Sequence, residues 1–380
     1  LVGLTTGVTV LLGQKIGEGR PDEAGSVVGS AICLFVCVAL ALTALLSALT
    51  EPFCRLLQAP EEAFVPTTQY VRICSAGTLF IVAFNVIGSV FRGLGDSKMP
   101  LITVAIACVT NIFGDLLLVD VFQMGAAGAA LATVFAQAVS VILSLFVIMR
   151  RKLPFTFRKE QLRFDRPLTA GILRLGVPIA LQDVLVGVSF LVILAIVNSL
   201  GLLQSAGMGI AEKVCAFVML LPSAFSQSVS AFVAQNTGAG KPERAKKALR
   251  YSVAVSLCIS VFVFYFNFFH GDLLAGIFAN DHAVILEAAD YLKAYAIDCL
   301  LTSFLFCFVG YFSGLGKTVF VMTQGILGAF GVRIPVSFAM SRLPNVRLFY
   351  IGLATPCSTV VQVLLCLGYY AHLARRERRA

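Results

Sequence analysis

A succession of long apolar runs fixes what this chain can fold into. They cover residues 26–49, 67–91, 99–119, 126–149, 169–199, 206–235, 248–270, 287–312, 319–341 and 349–373, and residues 1–13 read as the end of another. About 20 helical residues cross the roughly 30 Å of hydrocarbon in a bilayer. Lipid offers no partner for a backbone N–H or C=O, so such runs must be helices or a closed barrel. Barrel strands need only about 10 residues of alternating polarity, which these runs lack. With 58% hydrophobic residues, 13% charged residues and a mean hydropathy of +0.91, a soluble domain is excluded. The chain is expected to be an all-α polytopic membrane protein.

A second feature organises the helices. Val8, Gln14, Gly17, Gly19, Pro21 and Ala24 recur as Val229, Gln235, Gly238, Gly240, Pro242 and Ala245. At the same offset, and with no gap, Tyr70, Phe91, Gly93, Leu94 and Gly95 recur as Tyr291, Phe312, Gly314, Leu315 and Gly316. Whole bundles are therefore duplicated. The offset contains an even number of crossings, so both copies share one orientation. That predicts two six-helix bundles, the first incomplete, related by a pseudo-twofold axis along the membrane normal. Residues 1–149 form the expected first lobe, 150–168 a basic linker, and 169–380 the second lobe with its short tail. The apolar start at Leu1, without Met or a basic leader, reads as a fragment lacking its first helix.

The net charge of +9 is topological. Most of the 29 Lys and Arg fall in 14–25, 92–98, 150–166, 236–250, 313–318 and 374–380, whereas the alternate loops hold Arg55, Arg342 and Arg347. This asymmetry places the basic segments and the C-terminus in the cytoplasm, and no nucleic-acid partner is expected. The 11 cysteines lie mainly in spans without CxxC spacing, and the three histidines are scattered, so neither a disulfide framework nor a metal site is expected.

Acids within apolar spans are costly and mark ion or substrate paths. Four occur: Asp115, Asp183, Glu212 and Asp298. Asn111 lies one turn before Asp115 on the same helical face, and Thr133 on the next helix is placed to approach them. Asp183 follows Pro178 and Gln182, a polar pair suited to lining a cavity beside a kink. Glu212 with Lys213, and Arg333 before Pro335, read as structural, the arginine bracing a bent helix. "SGLGKT", Ser313 to Thr318, imitates a phosphate-binding loop, but Tyr311 stands where its first glycine is required.

The block from Val197 to Arg250, "VNSLG", "GMGIAEKV" and "LPSAFSQSVSAFVAQNTGAGKPERAKKA", resembles the multidrug and toxic compound extrusion (MATE) family. "GQKIGEGRPDEA" resembles its degenerate first-half partner, and "FRGLGDSKMP" with "NIFGDLLLV" and "GAAGAALATVFAQ" its fourth-to-sixth-helix region. The resemblance implies a secondary exporter of 12 helices in two lobes, present here from the second helix onward. It would exchange H⁺ or Na⁺ for small amphipathic or cationic compounds, with a coupling ion and no cofactor. It implies a plasma-membrane, multi-pass protein acting as a monomer. Asn111, Asp115 and Thr133 match the polar network that archaeal and related bacterial members carry in the first lobe. Other branches carry acids where this chain has Val186 and Thr302, so Gln182, Asp183 and Asp298 are candidates for the substrate cavity only. Against this reading stand a lipid-linked oligosaccharide flippase, which calls for a strongly cationic cavity, and a passive channel or receptor, which needs no repeat. No nucleophile–base set suggests an enzyme.

Overall fold

The computed structural model describes residues 1–56, 61–150, 155 and 157–377. Parts of the basic linker (151–154 and 156) and of the tail (378–380) lie outside the described residues, within which no strand occurs. Two units form, Leu1–Gly176 and Val177–Ala380. The first contains α1 (Val2–Gly17), α2 (Pro21–Leu56), α3 (Glu61–Ala76), α4 (Thr78–Gly93), α5 (Lys98–Asp115), a π turn over Leu116–Val121, and α6 (Gly125–Arg150). Helix α7 (Arg166–Asn198) begins in the first unit and continues into the second. The second unit then holds α8 (Leu202–Gly238), α9 (Pro242–Phe269), the short α10 (Gly271–Gly276) and α11 (His282–Gly314). It closes with α12 (Thr318–Ile326), a π segment over Leu327–Arg333, α13 (Ile334–Met340), α14 (Leu348–Gly352) and α15 (Ala354–Glu377). Among the described residues, 9 helical stretches are long and apolar enough to cross a membrane, or 10 if the bent pair α3–α4 is one span.

The duplicated sequence builds duplicated turns. Each copy ends two helices on a Schellman motif, in which a left-handed glycine lets the last carbonyls be capped by the following N–H groups. After α1, Gly19 N donates to Ile16 O and Arg20 N to Lys15 O; after α8, Gly240 N donates to Thr237 O and Lys241 N to Asn236 O. After α4, Gly95 N and Asp96 N reach Arg92 O and Phe91 O, and after α11, Gly316 N and Lys317 N reach Ser313 O and Phe312 O. The four glycines have φ of 70°, 65°, 80° and 74°, a region that side-chain-bearing residues enter at a cost. Thus "SGLGKT" is a helix end and a sharp turn. Around the first of these turns Lys15 pairs with Glu23 at 2.7 Å and Glu18 at 3.1 Å, and these carboxylates hold its ammonium above its ordinary pKa.

Packing repeats as well. A Cβ on Gly93 would meet Thr9 O at 3.0 Å and Leu12 Cδ2 at 3.1 Å. A Cβ on the matching Gly314 would meet Ser230 O at 2.6 Å and Val233 Cβ at 2.7 Å. In both units the glycine admits the neighbouring helix to backbone contact, the close approach on which helix association in lipid depends. Val8, Leu12, Val27, Phe35, Val86 and Ile172 form the core of the first unit. The second unit has two apolar clusters, around Met208, Tyr291 and Leu292 and around Val233, Phe308 and Phe312. Large apolar side chains such as Leu101, Phe113, Phe135 and Val184 stay exposed, as surfaces facing acyl chains would.

Two departures from the sequence reading concern helix continuity. The span read at 67–91 is broken, with α3 and α4 bent by 55° at Gly77. Val134 Cγ2 lies 2.4 Å from where a Cβ on Gly77 would stand, so α6 packs into the break. The span read at 319–341 is helical throughout but changes to π geometry over Leu327–Arg333. Hydropathy registers neither event, since both leave the run apolar. Described parts of the linker fold back on α2, where Ser30 Oγ donates to Arg163 O (3.3 Å) and Gln161 Nε2 to Asp22 O (3.2 Å).

Candidate functional site: a polar cluster around Asp115

Small residues bring α5 and α6 together. Ala132 Cβ lies 2.9 Å from where a Cβ on Gly114 would stand, and Leu118 O lies 3.0 Å from the same position on Gly128. The "GAAGAALAT" segment therefore lets its last residue, Thr133, reach across to α5. Asn111 Nδ2 donates to Thr133 Oγ1 at 3.5 Å, while Thr133 Oγ1 donates to Ala129 O at 2.9 Å within its own helix. One turn after Asn111, Asp115 ends α5 just before the π turn of Leu116–Val121. Its Oδ1 is buried and has no hydrogen-bond partner among the described residues. Turns of π geometry recur at functional sites because they displace one residue from the regular ladder.

Tyr70 and Cys74, one turn apart on α3, complete this cluster. The Tyr70 hydroxyl interacts with the Cys74 thiol and the Thr133 hydroxyl, and the Asp115 carboxyl lies within electrostatic range of it. Tyr70 stood out in the sequence as a repeat landmark, but nothing in its spacing tied it to Thr133; only the packing of α3 on α6 does. The result is a carboxyl in an apolar span, ringed by hydroxyl, amide and thiol groups and, among the described residues, by no cation. A carboxyl with no fixed cation beside it in an apolar span is suited to receive a small cation.

The other candidates lie in the second unit. Gln182 packs on α12, its Nε2 being 2.7 Å from where a Cβ on Gly325 would stand, and its Oε1 is buried without a hydrogen-bond partner among the described residues. Its neighbour Asp183 is on an exposed face of α7. Asp298 is 3% exposed. Thr302 Oγ1 donates to its Oδ2 at 3.2 Å, and the Thr359 hydroxyl from α15 also reaches it. The chain thus carries two separate carboxyl clusters, a half-buried one in the first unit and a buried one in the second. Among the described residues no His, Cys, Asp or Glu group has the arrangement of a metal site.

Comparison with known proteins decides the family. The sequence pattern of the family described as MatE matches residues 1–117 and 178–339. The chain belongs to the MatE family. It is 24% identical over 384 residues to "Probable multidrug resistance protein YoeA" of Bacillus subtilis (strain 168), covering 99% of this chain and 83% of that protein. It is 26% identical over 298 residues to "Multidrug export protein MepA" of Staphylococcus saprophyticus, covering 77% of this chain and 65% of that one. In fold it is similar to a solved chain described as "Crystal structure of MATE in complex with MaL6", with TM-score 0.94, 17% identity, and coverage of 100% and 85%. This MatE protein is a multi-pass membrane transporter and not an enzyme.

Proposed function

We propose that this chain belongs to a cation-coupled efflux antiporter in which Asp115 binds the coupling ion, H⁺ or Na⁺, and Asn111, Thr133 and Tyr70 hold it. The observation that carries this reading is the partnerless, buried Oδ1 of Asp115 beside the Asn111–Thr133 contact. A carboxylate so placed is stabilised by a bound cation, and it is the state of that site that biases alternating access. One elementary charge moved through 100 mV supplies about 2.3 kcal/mol, roughly four times RT and enough to shift a two-state equilibrium about fiftyfold. Export fits the printed names of the relatives, "multidrug resistance" and "multidrug export", so the substrates are small amphipathic or cationic molecules. The protein resides in the plasma membrane with its basic loops and C-terminus cytoplasmic, it works as a monomer, and it needs no cofactor beyond the coupling ion.

The test uses the full-length transporter in everted vesicles, following ethidium under an imposed pH gradient and, separately, an imposed Na⁺ gradient. One gradient should drive transport, and Asp115→Asn should abolish the driven component while leaving membrane insertion intact. Normal driven efflux by that variant would overturn the assignment.

A further inference from the structure

The start of α9 carries a ladder of positive charge. Lys241, Arg244, Lys247 and Arg250 follow one another at three-residue spacing, all exposed, and Arg375 and Arg376 in the last turn of α15 are exposed as well. The two helix ends are tied together, because Lys246 Nζ lies 3.0 Å from Glu243 Oε1 and 2.6 Å from Glu377 Oε2. Both carboxylates are thereby engaged by a half-buried lysine, and among the described residues none of the six exposed cations makes an ion pair. Left to itself this arrangement is unfavourable. Like charges three residues apart on a helix repel, and Lys241 and Arg244 stand at the positive end of the helix dipole.

The duplicated turn of the first unit is built differently. At the matched positions, Asp22 and Glu23 stand in the first turn of α2, and Ser26 and Gly29 occupy the places of Lys247 and Arg250. There Gly25 and Gly29 let Gln161 of the linker lie against the helix. Topology alone does not account for the contrast. The positive-inside reading assigns both turns to one side of the membrane, and it counts charges without regard to helix face.

We propose that this face of α9, with the end of α15, is a binding surface for anionic phospholipid headgroups, which supply the negative charge missing from the protein. The rest of the same helix face selects a lipid over a soluble anion. Seven residues after Arg244 stands Tyr251, 70% exposed, followed by the exposed Val255 and Phe262 at the four- and seven-residue steps of one face. Cations, aromatic ring and apolar stripe thus succeed one another as headgroup, interface and acyl chain do across a leaflet, and tyrosine is favoured at that middle level. Arg244 and Arg250 present forked donors whose geometry matches the oxygens of a phosphodiester. The inference needs the chain to span a membrane and is independent of the antiporter reading.

The experiment places a reporter at the site. The full-length transporter carrying Tyr251→Trp is reconstituted in phosphatidylcholine vesicles, and its added fluorescence is read as the difference from the Tyr251 parent. Quenching is titrated with brominated phosphatidylglycerol and, separately, with brominated phosphatidylcholine. The ratio of the two binding constants should favour the anionic lipid by about tenfold or more, since each cation near an anionic surface contributes about fivefold. Arg250→Gln in the reporter should lower the ratio by about that factor, and Arg244→Gln, Lys247→Gln and Arg250→Gln together should bring it close to one. All three side chains are exposed, so these variants keep the fold. Glu243→Gln removes a carboxylate and should instead raise the ratio. A ratio near one in the unsubstituted reporter, or one that the triple change leaves as it was, would overturn the proposal. Inorganic phosphate should lower the ratio no more than sodium chloride of equal ionic strength; a loss specific to phosphate would show that the surface takes a soluble anion and would overturn the assignment to lipid. No arm measures transport, so failure of the antiporter reading would show only in the efflux test above.

Discussion

The two units share a frame and differ in what they bury. Both end matched helices on left-handed glycines and pack matched glycines against a neighbouring helix, yet their intramembrane carboxyls lie in different company. Asp115 is half-buried beside neutral groups, Asn111, Thr133, Tyr70 and Cys74, whereas Asp298 is 3% exposed and held by the hydroxyls of Thr302 and Thr359. Backbone turns and helix contacts are constrained by geometry at every position of the repeat, and substitution there costs stability. A buried polar group is constrained only by its own partners, so one pair can be exchanged for another while the frame stays as it was. The contrast teaches that duplicated bundles keep their architecture and diverge in electrostatics.

The sharpest way to break this contrast is to treat the acids alike. Asp115→Asn is expected to reduce driven ethidium efflux to that of vesicles without the transporter, the largest effect, while its thermal stability stays close to wild type because a neutral amide replaces an uncompensated carboxyl. Asp298→Asn should do the reverse and lose stability first. If both lose efflux with no loss of melting temperature, the two sites are not different in kind.

The shared frame can be probed next. Gly314→Ala places a methyl 2.6 Å from Ser230 O and 2.7 Å from Val233 Cβ, whereas Gly93→Ala meets its nearest neighbour at 3.0 Å. Overpacking of this sort costs about 1–3 kcal/mol, with Gly314→Ala at the upper end and Gly93→Ala at the lower, read by thermal unfolding of the purified protein. Equal losses would show that the second unit yields where its geometry is tighter. A smaller effect is expected from Thr133→Val, which removes one hydrogen-bonding hydroxyl, worth about 0.5–1.5 kcal/mol and so at most about tenfold in apparent affinity for the coupling cation. Thr302→Val, beside Asp298, should leave that affinity unchanged. Smallest of all, Gly19→Ala and Gly240→Ala should each cost about 1 kcal/mol through positive φ, equally in the two units.

Much of this architecture was legible in the residues. The run lengths gave the helices, the constant offset gave the paired turns, and the match of Gly19, Gly95, Gly240 and Gly316 is now explained by one backbone conformation. Asn111, Asp115 and Thr133 are close in space because one turn of α5 and the small residues of α6 bring them there, both of which are local in sequence. Tyr70 was visible only as a landmark, since its partner Thr133 is on a helix packed against its own. The break at Gly77 and the π segments leave hydropathy untouched and so cast no shadow on it. Arg333 read as a brace for a bent helix; that its guanidinium is buried against Ser189 and Phe190 depends on how the π segment packs on α7, which no periodicity encodes.

The π segments have a consequence for how such a transporter can change. They fall in matched helices of the two copies but at different heights, following Asp115 in one and ending on Arg333 in the other. Lengthening a helix by one residue swings everything beyond it by about 100° unless a wide turn absorbs the surplus. A single-codon insertion or deletion in either stretch would therefore aim a different side chain inward while leaving the surrounding bundle in register. Specificity in this architecture is open to adjustment by small changes of length as well as by substitution.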